Sequence, residues 1–78
     1  MIAASDKRLS GLRLSVRERI ARAVNHAQET GTLNRADICR IGEVSTPQAS
    51  LDIREIMARF PTLLTYDASA KTYRARRR

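Results

Sequence analysis

Apolar residues recur along this chain at helical spacing, and short polar signals mark where each apolar face begins and ends. Val16, Ile20, Ala23, Val24 and Ala27 follow the i, i+4, i+7, i+8 spacing of a buried stripe. They predict a first helix that opens at Ser15, where Ser15-Val16-Arg17-Glu18 has the S-x-x-E form of a capping box, and closes at Gly31 in a left-handed turn. A second start follows in Leu33-Asn34-Arg35-Ala36-Asp37-Ile38. Asn34 is its cap, Asp37 favours the positive end of the helix dipole, and Leu33 packs on Ile38 as a hydrophobic staple. Gly42 keeps that helix short. Ala49, Ile53, Ile56, Met57 and Phe60 form a third stripe within a predicted helix 45–60, capped by Ser45 or Thr46, with Pro47 in the first turn. Pro61 stops it.

Two β-prone runs, residues 63–66 and 72–74, then flank the polar loop 67–71 and predict a β-hairpin. Residues 1–14 lack periodicity and are expected to be a flexible basic arm, or a short, weakly formed helix. The fold class is therefore mainly α with a small β-hairpin. Three helices, a tight Gly-containing turn between the second and third, and a hairpin after them follow the order of a winged helix-turn-helix. The expected division is arm 1–14, winged domain 15–75 and basic tail 76–78.

Composition sharpens this picture. The 78 residues allow one small domain, and with Phe60, Tyr66 and Tyr73 as the aromatics its core must be aliphatic. Fifteen Lys and Arg against eight Asp and Glu give a formal charge of +7, which favours a polyanionic partner, with nucleic acid the first candidate. One cysteine, Cys39, and one histidine, His26, assemble neither an internal disulfide nor a metal site, and no cofactor is expected. No apolar run has the length of a signal peptide or a membrane helix, so a cytoplasmic location without membrane association is expected. Paired carboxylates, a nucleophile beside a base and a phosphate loop are all missing, which argues against an enzyme, and no small-molecule site is evident.

The candidate DNA-contacting residues are Arg35, Ser45, Thr46, Pro47, Gln48, Ser50, Leu51, Arg54 and Lys71. Gln48 has two readings: bidentate pairing with adenine, or completion of a capping box with Ser45. Ser50 and Thr46 can donate to a phosphate or base edge, and Leu51 either meets a thymine methyl or is buried against a neighbour. Arg54, one turn beyond Ser50, can reach guanine or phosphate. Arg35 sits at a helix start facing the backbone, and Lys71 is the wing contact. Asp52 would be repelled by DNA and is expected to hold a nearby Arg or backbone group. Tyr66 and Tyr73 are expected to pack in the hairpin, Cys39 to face the core and His26 the surface.

Val44-Ser45, Asp52-Ile53 and Ile56 resemble the V-S-x-x-T-I-R-R-D-L-x-x-L recognition-helix pattern of DeoR-type repressors, with Gln48-Ala49 in place of Thr-Ile and Ser50-Leu51 in place of the two arginines. A fuller resemblance links residues 33–38, 45–53 and 64–73 to the N-terminal winged domain of WYL-domain transcriptional repressors, which control phage-defence islands. It covers residues 15–73. Those repressors continue beyond the wing into ligand-sensing and dimerisation regions, so the resemblance implies either an excised domain or a free-standing small regulator. The expected function is sequence-specific binding of double-stranded DNA by a transcriptional regulator, a repressor acting as a homodimer. An excisionase-like DNA-bending factor and a protein-interaction adaptor on the same fold are the alternatives.

Overall fold

The computed structural model describes residues 1–76. Its helices are α1 (Leu14–Thr30), α2 (Arg35–Gly42) and α3 (Thr46–Arg59); its strands are β1 (Thr32–Leu33), β2 (Leu64–Asp67) and β3 (Thr72–Ala75). The mainly helical class with a small β-element holds. The sheet, however, has three antiparallel strands in the order β1-β3-β2, not the two of a simple hairpin. Leu33 was expected only as a staple, yet it also pairs with Tyr73 across β1 and β3 while its side chain is fully buried. Two residues are too few to show a strand period, so β1 is made by its partner.

Local signals set most helix ends. Asn34 accepts from the Asp37 N–H at 2.9 Å, and the Asp37 carboxylate accepts from the Asn34 N–H at 3.0 Å, a complete capping box. Ser45 caps α3 by accepting from the Gln48 N–H. Gly31 takes the left-handed conformation that ends α1, with φ 85°. One expectation fails. α1 begins at Leu14 with Arg13 in the cap position and no side-chain cap, so Ser15 lies inside the first turn and the Ser15–Glu18 box is not used. α2 is short and ends at Gly42, as expected, and Glu43 after it takes the left-handed conformation, with φ 53°.

Gly42 is needed for space. A Cβ there would stand 2.4 Å from Cδ and 2.7 Å from Cγ of Arg19, whose stem crosses the end of α2.

The core joins all elements: Ile20, Val24 and Ala27 of α1, Ile38 of α2, Ala49, Ile53 and Ile56 of α3, then Phe60, Leu63 and Leu64. Met57 departs from its stripe and is 40% exposed. Residues 1–14, expected as a flexible arm or a short, weakly formed helix, contain one short helical turn, and Ile2, Leu9 and Leu12 pack on the domain. Leu9 is fully buried at the end of a 3-10 turn, Lys7–Leu9, capped by Asp6. Burying one such side chain contributes about 1.5–3 kcal/mol, enough to hold a short segment. Asn25 fixes Ile2 by hydrogen bonds in both directions, of 2.7 and 2.9 Å, and Arg59 Nη1 donates to the carbonyls of Arg8 and Ser10. At the other end, the Arg76 N–H donates to Leu63 O at 2.7 Å. Of the expected basic tail 76–78, Arg77 and Arg78 lie outside the described residues. No helix among the described residues is long and apolar enough to cross a membrane.

Candidate nucleic-acid interface

The geometry of the charged face starts with the turn between α2 and α3. Glu43 bends the chain, its N–H and that of Val44 both donating to Cys39 O, and half-buried Val44 packs against the core. Cys39, half-buried, carries its Sγ 3.9 Å from Thr46 Oγ1. The turn delivers the α3 N-terminus to the surface, so Ser45, Thr46 and Pro47 are exposed.

Beneath that surface lies an ion pair that orients the helix. Asp52, 3% exposed, receives Arg19 Nε at 2.6 Å and Nη2 at 3.0 Å, a two-pronged pair from α1 to α3. Gln48 Nε2 donates to the same carboxylate at 3.0 Å. Asp52 thus holds an arginine, as expected. Gln48 does not complete a capping box: its backbone N–H donates to Ser45, but its amide turns inward to Asp52 and the side chain is half-buried.

Arg35, Ser50 and Arg54 are brought together. They line one groove of about 230 Å³ between α2, α3 and β3, along with Ile53, Met57 and Tyr73. Arg35 Nη1 donates to Ser50 Oγ at 3.4 Å. Neither Arg35 nor Arg54 has an acidic partner among the described residues. By contrast Arg8, Arg19, Arg40, Arg59 and Arg74 are paired with Asp6, Asp52, Asp37, Glu55 and Asp67. Leu51 is 54% exposed, which removes the option of burial within the domain.

Lys71 lies apart from this groove, in the loop between β2 and β3. It is exposed, with φ 53°. Asp67 organises that loop by accepting from the Ser69 and Ala70 N–H groups at 3.0 and 3.1 Å and from Arg74 Nε at 2.6 Å. The Arg74 guanidinium, aided by those N–H groups, holds the Asp67 carboxyl below the usual carboxylate range. Tyr66 and Tyr73, opposite each other in the register, pack with centroids 4.9 Å apart. His26 is half-buried, its Nε2 3.6 Å from Asp37 Oδ2.

Ile53, which stays in the core, Met57 and Tyr73 are the groove residues that the sequence assigned elsewhere. The spacing 50, 54, 57 places Ser50, Arg54 and Met57 on one helix face and carries the signal for Met57. Tyr73 had no such signal, since its approach to α3 depends on where the sheet docks. Among the described residues no group of three or more His, Cys, Asp and Glu could hold a metal ion. No protein-family model matches this chain, and no curated protein or solved structure compared with it is similar.

Proposed function

We propose that the chain is a winged helix-turn-helix module that binds double-stranded DNA sequence-specifically, a transcriptional regulator that represses by occupying its site. In this reading α2 and α3 are the helix-turn-helix, α3 enters the major groove by its N-terminal half, and β2 with β3 is the wing. The observation that carries it is the pair Arg35 and Arg54. They flank Ser50 on one groove without carboxylates, in a chain of charge +7 whose other groove-side groups, Ile53, Met57 and Tyr73, are uncharged. Uncompensated guanidinium groups on a helix face suit phosphate and guanine, both of which accept hydrogen bonds in a two-pronged geometry.

Base reading falls to Ser50 and Arg54, with Leu51 and Met57 available to thymine methyls. Gln48 is held by Asp52 and acts through the helix it steadies. Thr46, Ser45, Pro47 and Arg35 lie against the backbone, Lys71 touches a flanking phosphate, and two copies read an inverted repeat. Selection of bound fragments from random DNA, followed by anisotropy titration, tests this. Arg54→Ala costs about 1–3 kcal/mol on the selected site and relaxes the preference at one position, whereas Lys71→Ala weakens all sequences alike and lowers the salt slope by about one. Equal losses for Arg54→Ala on selected and random DNA exclude base reading by Arg54. Binding that stays micromolar to millimolar on every sequence excludes specific recognition altogether.

A further inference from the structure

At the far end of α3 from its Ser45 cap, about 20 Å away for a helix of this length, a second cleft opens between the N-terminal segment, the end of α3 and the base of the hairpin. Its volume is about 490 Å³, within the range of small-molecule sites. The walls are of two kinds. The apolar part is the smaller: Val24 is fully covered and Phe60 and Leu63 show only their edges, with half-buried Ile2 and exposed Pro61 beside them, and Arg8, Arg59 and Arg76 bring three guanidinium groups to the same opening. No carboxylate lines it among the described residues.

Two of the three arginines are held in place. Arg8 lies over the Phe60 ring, its guanidinium carbon 4.3 Å from the centroid, while its Nε and Nη2 grip Asp6 and Nη1 has no hydrogen-bond partner among the described residues. Arg59 is anchored by Glu55 and by the Arg8 and Ser10 carbonyls, and its Nη2 has no hydrogen-bond partner among the described residues. Arg76, exposed, is placed by its backbone bond to Leu63, and its side chain has no partner among the described residues. Donors fixed in advance above an apolar wall favour a ligand with both an anionic head and a hydrophobic body. A second copy of the chain would bring cation to cation across this opening, which disfavours it.

We propose that this cleft binds a small organic carboxylate with an aromatic or aliphatic body, its head held by Arg8 and Arg76 and its body against Ile2, Pro61 and the exposed edges of Phe60 and Leu63. The site is separate from the groove around Ser50 and stands whether or not the chain binds DNA. Three probes test it on the ¹⁵N-labelled full chain by amide chemical shifts: benzoate, its neutral counterpart benzamide, and inorganic phosphate. The expected result is saturable movement of the Phe60, Leu63 and Arg76 amides with benzoate, at affinities at least about tenfold weaker for benzamide and for phosphate, the loss expected when a charge-assisted hydrogen bond or the apolar contact is removed. Arg76→Gln, at an exposed position, weakens benzoate by at least about tenfold, and Arg54→Gln leaves it within about twofold. Equal responses to benzoate and benzamide, equal responses to benzoate and phosphate, movement confined to other amides, or no saturation would each overturn the assignment.

Discussion

Removing Arg19 tests most directly how the exposed helix is held. Asp52 Oδ2 and Oδ1 stand 2.6 and 3.0 Å from Arg19 Nε and Nη2, and the two side chains are only 4% and 14% exposed. Replacing the arginine by Met keeps much of the stem that packs at Gly42 but leaves a buried carboxylate with one remaining donor, the Gln48 amide. Breaking a buried pair in this one-sided way costs about 3–5 kcal/mol. A domain of this length has about 4–12 kcal/mol in total, from roughly 0.05–0.15 kcal/mol per residue. Arg19→Met therefore removes a quarter or more of the stability. Asp52→Leu costs less, because the freed guanidinium reaches solvent from its partly exposed position. The double variant Arg19→Met/Asp52→Leu recovers most of the loss, since no uncompensated charge remains. Urea unfolding followed by far-ultraviolet circular dichroism on the wild type, both single variants and the double variant closes the cycle. A cost below about 1 kcal/mol for Arg19→Met, the range of exposed pairs, would refute this account of the helix anchor. So would a double variant no more stable than Arg19→Met.

Gly42→Ala is expected to lower stability by about 1–3 kcal/mol, against the gain of up to about 1 kcal/mol that Ala normally brings to a helix, because the new methyl meets the Arg19 stem; a raised melting temperature would show that the stem moves freely. Acid titration probes Asp6 and Asp67. Arg8 holds the Asp6 carboxyl down to about 2, and Arg74 holds Asp67 below its ordinary value. Both folded values lie below the unfolded one of about 3.9, so the stabilisation is present above that value and is lost as pH falls through it toward about 2. Asp6→Asn and Asp67→Asn each flatten that acid limb, and added salt shrinks the difference because both groups are exposed; an acid limb unchanged by both substitutions would refute the linkage.

The features legible in the chain are those closed within one turn. Asn34 and Asp37, Ser45 and Pro47, Gly31 and Pro61 act on backbone groups three or four residues away, so their positions in sequence already specify their partners. The apolar stripes of α1 and α3 likewise follow from helical period alone. Ser15-x-x-Glu18 shows the limit of local rules, because α1 starts earlier, at Leu14, once the preceding segment is packed through Leu9. That packing was invisible beforehand: an isolated leucine has no period, and its burial depends on which surfaces meet it.

The candidate site divides in the same way. Helical spacing by itself placed Ser50 and Arg54 one turn apart on a polar face of the third helix, and charge by itself pointed to an anionic partner. Tertiary structure decided which arginines are free. Arg19 lies 33 residues from Asp52 and looks no different in sequence from Arg35, yet one is locked to a buried acid and the other lines the open groove. It also decided that Gln48 turns inward, that Met57 and Tyr73 line the groove, and that β1 exists, since each depends on contacts between segments far apart in the chain. Periodicity and capping are properties of neighbours in sequence, whereas pairing and exposure are properties of neighbours in space.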